Sequence, residues 1–257
     1  MSARRLRIRF DGRCDACQTE VARGTPAYWD RDGRRLECVT CGEPASVAGA
    51  SARREHDRRR FQDEQSVRAA HPRLGGLLVA VRGERQRTRA WATGAEGEEA
   101  VGGMLDGLSE FGNVTLHERR IPRTPANIDH VVVAPSGIYV VDTKHVRGRV
   151  EVRDVGGIFE RDERLYVANR DRTRLTHALG KQVDAVRRAL GPTHVPVHAV
   201  LCFVGAEWRL LRRPFDLHAT TVLWPRELSR RVLQLGRLDL DAVEVIARRL
   251  RCELPPN

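Results

Sequence analysis

Cys14-Asp-Ala-Cys17 and Cys38-Val-Thr-Cys41 form two CxxC pairs separated by 20 residues. Each CxxC turn sets two thiols on one side of a tight loop, and two such turns together can close a tetrahedron around zinc. A segment this short cannot bury enough apolar surface to fold unaided, so the metal would supply much of its stability. The intervening AYWDRDGRRLE reads as a hairpin turning at Arg31-Asp32-Gly33, as a zinc ribbon requires. A single CxxC would leave a thioredoxin-like redox pair open; two at ribbon spacing favour zinc. Four thiolates fill the coordination sphere, so this zinc is expected to be structural. Cys202, in an apolar strand, and Cys252, near the end of the sequence, are expected to be inert.

The ribbon accounts for a small part of 257 residues, of which 41% are hydrophobic, enough for a further packed core. A net charge of +11 and a pI near 10.3 point to a polyanionic partner, nucleic acid first. The start, MSARRLRIRFDGRC, lacks the apolar stretch of a signal peptide, and no run approaches the length of a membrane span. The chain is therefore expected to be intracellular and cytoplasmic, without membrane contact, where cysteines serve as metal ligands or free thiols before disulfides.

Composition divides the chain into a ribbon at 1–46, a basic linker at 47–91 and a mixed domain at 92–257. The linker's SARREHDRRRFQDEQSVRAAHPR is highly charged and poor in large apolar residues. Beyond it, GEEAVGGMLDGLSEFG reads as a helix with Val101, Leu105 and Leu108 at helical spacing. NIDHVVVAP and IYVVDTKH read as strands joined by a tight turn at Ser136-Gly137, and GRVEVRD as a third strand. HALGKQVDAVRRALG has a helical apolar face of Leu179, Val183, Val186 and Leu190. VPVHAVLCFVG is almost wholly apolar, the mark of a central strand covered on both faces. ATTVLWP follows as a strand, and PRELSRRVLQLG and LDAVEVIARRL as closing helices. The expected class is α/β: a mixed sheet flanked by helices, with the small ribbon in front.

Chemistry concentrates on the hairpin. Asp142 and Lys144 are two apart on a strand and leave the same face. Asp129, on the preceding strand, is brought beside Asp142 by a tight hairpin. Two carboxylates converging there can hold a hard cation such as Mg²⁺, and an ammonium beside them can orient or deprotonate a water for attack on a phosphodiester. Only two of the 45 basic residues are lysine, at 144 and 181. Lysine is a compact charge that can lose its proton when desolvated, which arginine cannot. D-x-K alone is a small motif and would equally describe a surface ion pair. Glu98 and Gln182, on the inward stripes of the two helices bracketing the hairpin, add weight, because buried polar groups need partners.

Together, GAEGEEAVGGMLDGL, IPRTPANIDHVVVAPSGIYVVDTKHVRGRV and the glutamine of GKQVDAVRRAL resemble the nuclease-related domain, NERD, of the PD-(D/E)xK nuclease superfamily. The resemblance spans roughly 92–203 and leaves the ribbon outside. It implies a helix-flanked mixed sheet and Mg²⁺- or Mn²⁺-dependent cleavage of nucleic acid, usually DNA. Asp129 and Asp142 would hold the metal, Lys144 would be the catalytic lysine, Glu98 the helix acid and Gln182 the polar residue of the later helix. Position 142 is Asp where many members have Glu. The rival expectation is a catalytically inactive nucleic-acid-binding protein that uses the ribbon and the basic surface.

Overall fold

The computed structural model of the chain describes residues 4–31, 33–42, 48–50, 53–55, 57–58, 61–62, 65, 86–157, 160–208 and 213–257. The linker expected over 47–91 lies largely outside these residues.

The N-terminal part is built from β1 (Arg4–Arg7), β2 (Gly12–Arg13), β3 (Glu20–Val21), β4 (Pro26–Asp30), β5 (Arg35–Cys38) and a single turn, α1 (Val39–Gly42). β1, β4 and β5 form an antiparallel sheet in that order, and β2 pairs with β3. The expected hairpin is present, with Asp30 paired to Arg35 across the turn. Its buried apolar residues are few: Ile8, Cys14, Val21 and Ala27. So small a core leaves this unit dependent on a further cross-link.

The larger domain is entered through α2 (Gln86–Asp106), which starts before the boundary expected at 92, and continues through β6 (Val114–Arg120), β7 (Asn127–Ala134), β8 (Gly137–His145), β9 (Val150–Asp154), β10 (Glu163–Val167) and β11 (Arg170–Asp171). It then runs α3 (Arg174–Leu190), β12 (Val197–Val204), β13 (Phe215–Leu217), β14 (Thr220–Leu223), α4 (Pro225–Val232) and α5 (Leu240–Glu253). Six strands form a mixed sheet in the order β13-β14-β12-β8-β7-β6. β12 runs parallel to both neighbours, as its apolar sequence predicts, and the other pairs are antiparallel.

Strand alternation divides the core in two. Val131, Val133, Ile138, Val140 and Leu201 pack with α3 and α5 on one face; Val132, Ala134, Tyr139, Val141 and Val200 pack with α2 and α4 on the other. The expected stripe on α3 is buried at Leu179, Val183, Val186 and Leu190.

Three details depart from the sequence reading. The hairpin turns at Pro135-Ser136, with Ala134 paired to Gly137. The third strand, β9, leaves the main sheet and forms a separate one with β10 and β11. An edge strand, β6, was not expected because its LHERR stretch is too polar to read as a buried strand. Its Arg119 is buried with partners: the guanidinium donates to the carbonyls of Leu254 (2.6 Å) and Arg251 (2.9 Å), closing the end of α5. Among the described residues no helix is long and apolar enough to cross a membrane.

Candidate active site and metal centre

The β7–β8 ladder runs from Ala134–Gly137 to His130–Val141 and ends there. The same register carried one step further sets Asp129 against Asp142. At that step the Thr143 N–H donates to the Asp129 carboxylate (Oδ2, 2.9 Å) instead of to a strand carbonyl. Asp129 and Asp142 share the face of Val131 and Val140, and each is only 8% exposed. Lys144, on the same face of β8, donates from Nζ to Asp142 Oδ1 at 2.8 Å and to the Thr143 carbonyl at 3.0 Å, with Asp129 Oδ2 at 4.0 Å.

Burial, followed by the charge of Asp142, raises the Asp129 carboxyl to about 7. Burial alone would depress the Lys144 ammonium, but Asp142 and Asp129 outweigh it and hold the group above its ordinary value. This corrects the expectation that Lys144 can lose its proton. In this setting the two carboxylates hold its proton more firmly, and as an ammonium it can orient a water or offset negative charge.

Glu98 approaches from α2, on the opposite face of the sheet. It is half-buried, and its carboxyl is pushed up to about 9 by burial and then by the charges of Asp129 and Glu118. Gly97 permits this approach: a Cβ there would lie 2.7 Å from the Cβ of His145, at the end of β8. Its neighbour Glu99 points elsewhere and pairs with Arg53 through Nε at 2.7 Å. Gln182 lies on α3, with its Oε1 buried and unpartnered among the described residues. No hydrogen bond joins that atom to the acids.

The sequence reading missed Glu118. The β6–β7 register pairs His117 with His130 and Arg119 with Ile128, which sets Glu118 across from Asp129. Glu118 is fully buried, accepts from Asn127 Nδ2 at 3.3 Å through Oε2, and leaves Oε1 without a partner among the described residues. Its backbone is left-handed, with φ of 51°. A like-charged pair opposed across two strands is unfavourable without a cation. The only signal in the sequence was a lone Glu inside an unrecognised strand. The next residue on β7, His130, faces the other way into a buried chain: its Nδ1 meets His117 Nδ1 at 2.8 Å, and His117 Nε2 meets Asp106 Oδ1 at 2.8 Å. Burial, with His117 next, pushes His130 down to about 3, so it is neutral.

Glu98, Glu118, Asp129 and Asp142 act electrostatically on one another around one ammonium in a largely desolvated place, although among the described residues they do not draw their oxygens into a close cluster as the four cysteines draw their sulfurs. Hard oxygen donors, a free buried carboxylate oxygen and carboxyls with raised proton affinity suit a divalent cation such as Mg²⁺ or Mn²⁺.

The sulfurs of Cys14, Cys17, Cys38 and Cys41 lie within 4.8 Å of one another, the one such group of metal-ligating side chains among the described residues. Metal–sulfur bonds of about 2.3 Å in a tetrahedron set sulfurs about 3.8 Å apart, and Cys17 Sγ lies 3.8 Å from Cys38 Sγ. The Cys38 N–H donates to Cys14 Sγ at 3.2 Å, so backbone and thiols are already arranged. The set suits zinc. Cys202 is buried and its thiol raised by desolvation, as an inert cysteine should be. Cys252, expected to be equally inert, is not isolated: its Sγ, on α5, lies 2.8 Å from Cys41 Sγ. α1 and α5 pack together there, an arrangement that cysteines so far apart in sequence did not reveal.

No curated protein and no solved structure matches the chain significantly. Strands β6, β7, β8 and β12 of the mixed sheet, helix α3, the Asp129–Asp142–Lys144 group and the acid of α2 fall within one segment that a family model recognises, while β13, β14, α4 and α5 lie beyond it. Residues 93–204 match the family model of the nuclease-related domain, NERD.

Proposed function

We propose that the chain is a metal-dependent nuclease that hydrolyses phosphodiester bonds of DNA, with a PD-(D/E)xK-type site on a domain of residues 92–257, a basic linker at 47–91 and a zinc ribbon at 1–46. The observation that carries this reading is the Lys144 ammonium bonded to one of two opposed, buried carboxylates, 2.8 Å from Asp142 and 4.0 Å from Asp129. Asp129 and Asp142 would hold Mg²⁺ or Mn²⁺, and the Glu118 Oε1 adds a donor facing Asp129. A bound divalent cation supplies Lewis-acid polarisation of the phosphate and lowers the pKa of water.

The chain's own residues do the rest. Lys144 stays charged and orients the attacking water while offsetting charge that develops on phosphate oxygens. Glu98, with raised proton affinity, would receive the water's proton once ionised. Gln182 positions Lys144 through its free amide oxygen, or the scissile phosphate through its amide N–H₂. The arginines of β9 and its approach, Arg147, Arg149 and Arg153, neutralise backbone phosphates.

Nicking of supercoiled plasmid DNA tests this reading. With Mg²⁺ or Mn²⁺ the wild type should cut, while Asp142→Asn and Lys144→Met should bind DNA but leave it intact. Absence of cutting by the wild type on duplex, single-stranded and RNA substrates with either ion would sink it.

A further inference from the structure

Away from the acid site, a groove of about 910 Å³ runs along β1 of the N-terminal sheet. Arg4, Arg5, Arg9 and Arg31 line it together with Phe10 and Trp29. These four arginines are exposed, and none of their guanidinium groups makes a hydrogen bond or ion pair with another described residue. A fifth, Arg7, is committed to the Gly24 carbonyl at 2.7 Å. The one acid on the rim, Asp11, is occupied by the Arg23 N–H at 2.7 Å. The groove therefore gathers uncompensated positive charge.

The apolar part is equally specific. Phe10 is 81% exposed, a large ring turned to solvent in a unit with very little core to spare. Trp29 is half-buried, paired in register with Arg4 on one side and Leu36 on the other. Flat rings set among free guanidinium groups match unstacked bases joined by phosphates. A duplex hides its base faces and would leave both rings unused, and an acidic peptide would answer the arginines but not the rings.

We infer that this groove is a binding site for single-stranded nucleic acid, in which Arg4, Arg5, Arg9 and Arg31 meet backbone phosphates while Phe10 and Trp29 stack on bases. The inference extends the nuclease reading by assigning the strand-holding surface to the ribbon, and it holds whether or not the acid site cuts. Because α1 of the same unit packs on α5, a strand held here is held by the body that carries the acid site.

The test is fluorescence anisotropy with a labelled oligothymidylate, using the full chain prepared with zinc and without magnesium, so that binding is read without cleavage. The wild type should bind it, quench tryptophan emission and weaken steeply with salt. Replacing Arg4, Arg5, Arg9 and Arg31 together by serine should flatten the log–log salt dependence by about 3, from about 0.7 per lost phosphate contact on a single strand. Phe10→Ala should weaken binding about tenfold with the salt slope unchanged. Zinc content reports whether the quadruple variant keeps its fold; Phe10 is a surface residue, so its replacement decides the matter if that variant does not. Wild-type affinity in Phe10→Ala, or binding of a hairpin duplex or polyglutamate as tight as that of oligothymidylate, overturns the inference. Failure to nick plasmid with these results intact would overturn the nuclease reading alone.

Discussion

Asp129→Asn should make the metal-free protein more stable at mildly alkaline pH while removing its response to divalent cations. The Asp129 carboxyl is raised from an ordinary 3.8 to about 7, and each tenfold change in proton affinity is worth about 1.4 kcal/mol. Keeping it ionised above that pH therefore costs the folded state up to about 4 kcal/mol relative to the unfolded chain. The sign follows from the raised value: the stability that Asp129 contributes is complete below about 4 and is lost as pH rises through about 7. Asparagine carries no such charge. Its Oδ1 can accept the Thr143 N–H that Asp129 Oδ2 now accepts at 2.9 Å. Its amide N–H₂ would then face the Lys144 ammonium without an acceptor, a loss of about 2 kcal/mol. The net gain is about 2 kcal/mol above pH 7, or a rise of about 6 °C in unfolding temperature for a chain of this size.

The assay is thermal unfolding followed by circular dichroism without Mg²⁺ or Mn²⁺, across about pH 5 to 8.5. The difference, variant minus wild type, should be near zero or negative at the acid end and grow positive towards the alkaline end. Added Mn²⁺ should raise the wild type's transition at the alkaline end and leave that of Asp129→Asn unmoved. A difference that is flat with pH, or a wild type indifferent to Mn²⁺, would refute the claim that this carboxylate is held at a cost for a cation.

Lys144→Arg keeps the charge but should lose at least about 100-fold in nicking rate, because a planar fork pairs with one carboxylate and cannot place a compact charge 2.8 Å from Asp142 and 4.0 Å from Asp129. Gly97→Ala should lower stability by about 1–3 kcal/mol in thermal unfolding and slow nicking, since its Cβ would lie 2.7 Å from that of His145 and force Glu98 outward. Glu118→Gln should weaken Mn²⁺ binding, read by electron paramagnetic resonance, because it removes a carboxylate oxygen that faces Asp129. Cys252→Ala should leave zinc content unchanged but weaken retention against a chelator about tenfold, as loss of an outer partner of a ligating thiol does.

Local spacing and periodicity made much of this molecule legible. Two CxxC turns announce a thiol cluster because the ligands are close in sequence and the motif is its own geometry. The β7–β8 hairpin follows from two apolar runs and a short turn, and alternation puts Asp142 and Lys144 on one face; that Asp129 stands against Asp142 depends on the turn falling at Pro135-Ser136, one residue before the expected place. The α3 stripe and the central β12 follow from periods that burial imposes directly on residue type. What stayed hidden depends on pairing between distant segments. β6 is polar because its His, Glu and Arg side chains find partners across the fold, so no apolar alternation marks it, and Glu118 was lost with it. Cys252 and Cys41 are neighbours only because α5 packs on α1. The protonation of Lys144 was misread for the same reason: lysine beside one carboxylate in sequence has an open pKa, and only the convergence of Asp129 and Asp142 in the folded chain holds its proton in place.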